Sequence, residues 1–193
     1  MKIVEHWLEG PDTERLRCTK NSRRMEVADT IVLHATEGAN AMSSACYLAR
    51  RDTSVSAHLV VGRRGHVIQL LPFNVEAWHA GESEHAGRKG LNACSVGIEI
   101  DNAGRLHCRG DRFFSWFNRE YMPDEVFTTV ENGRAAYYHR FTREQTDRVA
   151  EICRLLKARY LMHWLVRHSD ITRRKSDPGP AFPFEEVRRQ AGF

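Results

Sequence analysis

The stretch "RHSDITRRKSDPGPAF", residues 167 to 182, places a histidine, a lysine and two aspartates in one short polar segment that ends on a Pro-Gly-Pro turn. A solvated loop has no need of His168, Lys175 and Asp177 followed at once by a rigid turn; a metal site does. Catalytic zinc commonly takes three ligands of the His, Asp, Glu or Cys type and keeps a fourth position for water. His34, closing the apolar run "TIVLHAT" (30–36), is a second histidine able to meet His168. Asp177 is a third ligand of suitable type, its backbone restricted by Pro178 and Pro180. Spacing alone leaves a plainer alternative open, because a chain with ten histidines places some near its aspartates by composition.

Such a triad needs elements to hold it. "TIVLHAT" reads as a buried strand delivering His34 at its C-terminal end, and "AMSSACYLARR" (41–51) as a short helix with Ala41, Ala45 and Leu48 on one side. "SAHLVVG" (56–62) and "HVIQLL" (66–71) flank "RRG" and predict a hairpin turned by Gly65. "CSVGIEI" (94–100) is another strand, whose alternation sets Val96, Ile98 and Ile100 opposite Glu99. "TREQTDRVAEICRLLKARY" (142–160) carries the strongest helix signal, with Thr142 and Gln145 as a capping box and Val149, Ile152, Leu155 and Leu156 as the apolar face. "HWLVRH" (163–168) is a short extended segment ending at His168, and a last helix covers "FEEVRRQ". From 105 to 140 the pattern has no clean period and reads as an inserted excursion beside the core. Strands and helices in this order indicate an α/β domain with a central sheet.

Composition bounds the reading. At 193 residues, 41% hydrophobic and 28% charged, the chain is expected to be a single globular domain, 1–193, with a sizeable core. The formal net charge of +4 suits an anionic partner without demanding one. The arginines are dispersed and no nucleic-acid motif appears, so nucleic acid is not an expected partner. Five cysteines, at 18, 46, 94, 108 and 153, make an odd count without a CxxC pair. A reducing compartment is the simpler reading, with Cys46, Cys94 and Cys153 as small buried apolar residues. No apolar run has membrane-span length, and the N-terminus lacks the apolar core of a signal peptide. The expected location is the cytoplasm, or the cell wall by a route that uses no signal peptide.

The segments "IVLHATEG", "SAHLVVGRRGHVIQLLPFNVEAWHAG", "NACSVGIEIDNAG" and "RHSDITRRKSDPGPAFPF" together carry a resemblance to a known family. The chain resembles the zinc-dependent N-acetylmuramoyl-L-alanine amidases of the type 2 family, whose fold is shared with peptidoglycan recognition proteins. The matching pieces come in the family's order across residues 30 to 184, leaving out the 105–140 excursion and the first two dozen residues. The resemblance implies a central mixed β-sheet flanked by helices. It implies that His34, His168 and Asp177 bind zinc, and that the amide between the lactyl group of N-acetylmuramic acid and L-alanine of the stem peptide is cleaved. Some relatives use a cysteine as third ligand and a tyrosine just before the strand histidine matching His58; here these places hold Asp177 and Ala57. Both departures point to the aspartate branch, in which the acid–base role falls to Glu99.

Amide hydrolysis then assigns the remaining roles. Glu99, among apolar neighbours, suits a group that takes the water proton and returns one to the leaving amine. Lys175, two residues from a ligand, suits stabilisation of the oxyanion. His79 in "AWHAG", Asn92 and Arg173 are expected to contact substrate, while His58 reads as a satisfied interior histidine and His163 as outside the site. The expected partners are peptidoglycan or soluble muropeptides; oligomeric state is not legible. An endolysin-like wall enzyme and an enzyme of wall recycling fit equally. A peptidoglycan-binding module on the same fold that has lost catalysis is the alternative, although this chain keeps all five candidate metal and catalytic residues.

Overall fold

The computed structural model describes residues 1–193. Strands β1 (Lys2–Val4) and β2 (Trp7–Glu9) form a hairpin, followed by β3 (Thr13–Arg15), β4 (Thr30–Ala35), α1 (Ala41–Ala49), β5 (Leu59–Val61) and β6 (Val67–Gln69). The short β7 (Glu84–His85) and β8 (Arg88–Lys89) pair with each other ahead of β9 (Ser95–Ile100). Five strands come next: β10 (Arg105–Arg109), β11 (Arg112–Phe114), β12 (Glu120–Tyr121), β13 (Val126–Glu131) and β14 (Arg134–His139). The chain closes with α2 (Arg143–Tyr160), β15 (Trp164–Arg167), the one-turn α3 (His168–Ile171) and α4 (Phe184–Ala191).

The principal sheet has six strands in the order β15-β4-β9-β5-β6-β3. β15, β4, β9 and β5 run parallel, so their C-terminal ends share one edge, while β6 is antiparallel to β5. β4 is buried at every position, as a continuous β-branched run predicts for a central parallel strand covered on both faces. On one face Ile31, Leu33, Val96, Ile98 and Ile100 pack against Val149, Ile152 and Leu156 of α2 and Val187 of α4. Each such fully buried aliphatic side chain contributes about 1.5–3 kcal/mol of transfer free energy. The period-2 pleat sends His34 to the other face. There Val60 and Ile68 pack against Ala41, Ala45 and Leu48 of α1. This is the central mixed sheet flanked by helices that the residue pattern and the resemblance imply.

The expected elements are present with trimmed ends. Thr142 caps α2 as its sequence predicts: its hydroxyl accepts the Gln145 N–H at 3.2 Å and the Gln145 carboxamide oxygen accepts the Thr142 N–H at 3.1 Å. Gly65, at φ 75°, turns the β5–β6 hairpin. Two readings are corrected. The 105–140 excursion is regular: it builds its own antiparallel sheet, in the order β12-β11-β10-β14-β13, over a small core of Ala103, Leu106, Tyr121 and Val126. Of the cysteines expected inside, Cys153 is buried but Cys94 is half-buried and Cys46 is exposed, on the outward side of α1. No helix is long and apolar enough to cross a membrane.

Candidate active site

Parallel pairing of β4 with β9 sets His34 opposite Glu99, and pairing of β4 with β15 sets Leu33 opposite Arg167, one residue before His168. Neighbouring strands lie about 4.8 Å apart, so three adjacent strand ends supply three reactive side chains to one spot. Open α/β sheets form their crevices at this carboxyl edge. Asp177 arrives on the loop after α3; its backbone carbonyl accepts the Ser169 N–H at 3.1 Å, which ties that loop to the helix carrying His168. The Asp177–Pro178 peptide is cis.

His34 Nδ1 lies 3.0 Å from His168 Nδ1 and 3.3 Å from Asp177 Oδ2, and His168 Nδ1 lies 3.1 Å from the same oxygen. All three residues are buried. Burial pushes the His34 ring below its usual pKa, against the neighbouring Asp177 carboxylate, which favours its charge. For Asp177 burial acts upward, yet the adjoining His168 and His34 rings outweigh it and hold the carboxyl well below the usual range. The three donor atoms fit a four-coordinate divalent ion. Ligand atoms about 2.0–2.1 Å from a tetrahedral centre lie roughly 3.3 Å from one another. The observed separations of 3.0 to 3.3 Å come close to that edge length.

The triad opens into a groove of about 1060 Å³ lined by Glu99, Lys175, His79 and Asn92 among others. Burial, seconded by the charge of Asp177, pushes the Glu99 carboxyl up to about 8, with Lys175 acting in the opposite sense. Lys175 is exposed, and its charge also bears on His34 and Glu37. His79 is buried at the groove wall, and the Asn92 side-chain oxygen accepts the backbone N–H groups of His79 at 3.0 Å and Ala80 at 2.7 Å. Arg173 is exposed and lies outside the lining, which takes Arg174 instead, paired with Glu82 at 2.8 Å. His58 is fully buried and satisfied: Nε2 donates to the Val75 carbonyl at 2.9 Å and Nδ1 accepts the Gly97 N–H at 3.1 Å. His163 and His85 stay outside the groove.

Among the lining residues that the sequence reading did not single out, three bear on the groove's chemistry. Tyr47, on the exposed side of α1, faces the groove, as does Glu37 just beyond β4. Trp116, in the β11–β12 turn, reaches the groove from the second sheet, and its indole N–H donates to the Glu37 carbonyl at 2.7 Å. The cluster "FFSWF" around Trp116 was the available signal, since an aromatic run without a core period asks for a surface role.

Residues 3–180 match the family model described as N-acetylmuramoyl-L-alanine amidase. The 1,6-anhydro-N-acetylmuramyl-L-alanine amidase AmpD of Salmonella typhimurium is 31% identical over 137 residues, 69% of this chain and 56% of that protein. The N-acetylmuramoyl-L-alanine amidase AmiD of Escherichia coli is 30% identical over 147 residues, 72% of this chain and 45% of that protein. The chain thus spans about half the length of these curated relatives. Among solved structures, an AmpD crystal structure superposes with a TM-score of 0.67 at 23% identity over 98% of this chain and 99% of that one, which establishes the fold. E. coli AmiD, solved with the substrate anhydro-N-acetylmuramic acid-L-Ala-D-gamma-Glu-L-Lys, gives 0.64 at 28% identity over 84% of this chain and 57% of that one. With a family match running from the first strand through the Asp177 loop, the chain belongs to the N-acetylmuramoyl-L-alanine amidase family.

Proposed function

We propose that this chain hydrolyses the amide between the lactyl group of N-acetylmuramic acid and the L-alanine of a stem peptide, with zinc held by His34, His168 and Asp177. The observation that carries the reading is the meeting of three converging donors with a carboxyl pushed up to about 8, beside them in one groove. Zinc, when bound, supplies Lewis-acid polarisation of the amide and a bound water of near-neutral pKa. The chain's own residues do the rest. Glu99 sits high because burial disfavours its charge; a cation held by the neighbouring ligands would act in the opposite sense and favour the proton-accepting carboxylate. Such a group takes the proton of the attacking water and returns it to the leaving amine. Lys175 lines the groove, and its ammonium would stabilise the former carbonyl oxygen as that atom gains negative charge. Tyr47, Trp78 and Trp116 line the same groove, and its volume accommodates a sugar and several peptide residues.

The relatives are a 1,6-anhydro-N-acetylmuramyl-L-alanine amidase (AmpD) and an N-acetylmuramoyl-L-alanine amidase (AmiD), which supports muropeptides as the substrate class. Mass spectrometry of products from purified protein on intact sacculi and on soluble muropeptides, each with and without chelator, tests the proposal. Free stem peptides that disappear with chelator are expected, and the faster substrate separates wall lysis from recycling. Intact substrate in every tube, with zinc shown to be bound, would instead support the binding module.

A further inference from the structure

Behind His34, on the side away from Asp177, lies a chain of buried hydrogen bonds in which each donor can be assigned. The Ser95 hydroxyl is 2.6 Å from the Leu91 carbonyl oxygen, which can only accept, so the hydroxyl's single proton is committed there. Ser95 Oγ must therefore accept from His79 Nε2, 3.2 Å away, with the Ser95 carbonyl as a second acceptor at 3.4 Å. His79 carries its proton on Nε2. No carboxylate contacts this buried ring, so with its proton on Nε2 its Nδ1 is left as an acceptor. His34 Nε2 faces that Nδ1 at 3.0 Å, with the two rings edge to face at 87°. His34 must then hold its own proton on Nε2, which leaves the Nδ1 lone pair directed at His168 and Asp177.

The His79 ring is locked on both sides. Asn92 grips its backbone from one direction. From the other, Gly97 of β9 lies so close that an added Cβ would come within 2.4 Å of His79 Cγ. A ring under substrate contact alone would not require this confinement.

We propose that His79 is a positioning residue: its Nδ1 accepts the His34 Nε2–H, holds that ligand in the tautomer that presents Nδ1 to a metal ion, and is itself set by Ser95 and the Leu91 carbonyl. This rests on the metal reading above and gives His79 a role other than the substrate contact suggested by its sequence neighbourhood. Partners that orient a ligand histidine are commonly carboxylates or carbonyls; here a second histidine takes that place.

The full chain tests the inference in two measurements. Long-range ¹H–¹⁵N spectra of the metal-free protein should show His34 and His79 both as Nε2–H tautomers. Zinc dissociation constants from chelator competition should rise about 10–100-fold in His79→Phe, which keeps the ring shape and removes the acceptor. His79→Asn, whose side-chain oxygen reaches the Nδ1 position, should restore affinity to within a few-fold and keep the His34 tautomer. A wild-type His34 protonated on Nδ1 would overturn the inference, as would a folded His79→Phe protein with unchanged zinc affinity. If His79→Phe does not fold, the wild-type spectrum decides alone. Wild-type protein that binds no zinc sinks the metal reading itself, and that result is recognisable before any variant is compared.

Discussion

Glu99 and His168 stand within one groove yet are expected to fail differently when altered. Glu99→Gln keeps the shape and cannot accept a proton, so zinc content and fold should persist while kcat falls about 10²–10⁴-fold. His168→Ala removes one of three converging donors, and metal and turnover should vanish together. Metal analysis and kcat measured on the same preparations separate the two; full activity in Glu99→Gln would withdraw the assignment of the base. His34, His168, Asp177 and Glu99 drew notice by their settings, but their roles were expected only once the family resemblance of the surrounding motifs was added. A histidine ends a buried strand, and a carboxylate interrupts "VGIEI". Arg173 and Arg174 were not separable, since two adjacent basic residues on a loop carry no information about which one turns inward.

At the scale of elements, α2 and the second sheet make distinct contributions. The Thr142 hydroxyl accepts the Gln145 N–H and also donates to the Arg63 carbonyl at 2.7 Å, fastening α2 to the β5–β6 turn. Thr142→Ala should lower stability by about 1 kcal/mol, read as a lower urea midpoint with an unchanged m value. The second sheet supplies Trp116, whose indole N–H is occupied by the Glu37 carbonyl, leaving the ring face for contact. Trp116→Ala should raise KM on muropeptides by up to about tenfold with kcat little changed, the pattern of lost uniform binding. A fall in kcat alone would place Trp116 elsewhere in the reaction. α2 was readable because its cap and its apolar period agree. The second sheet was not, because its strands are short and only a small cluster covers one face. Its one strong local sign is Asn132–Gly133, both at positive φ in the β13–β14 turn.

For the molecule as a whole, acid sensitivity follows from histidines buried uncharged. Burial drops His58 to about 4 from the ordinary 6.5, and His139 is held near 3 by burial with Arg63 and Arg119. Between about pH 6.5 and 4 the unfolded chain binds the His58 proton and the native chain does not, so native stability falls as pH falls through that window. His58 alone accounts for about 2 kcal/mol between pH 7 and pH 5. Urea titrations of the chelated protein should show the loss, with a shallower slope in His58→Gln; stability unchanged down to pH 5 would contradict the burial argument. Sequence by itself determined the α/β class, most strand and helix positions and the residue types of the site, because hydrophobic period, capping and turn chemistry are local and survive without neighbours. Only the tertiary structure decided which strand ends adjoin, that Trp116 crosses from a second sheet to the groove, and that His79 stands behind His34. Those are contacts between residues up to 134 positions apart, set by strand order and register, and no local pattern encodes them.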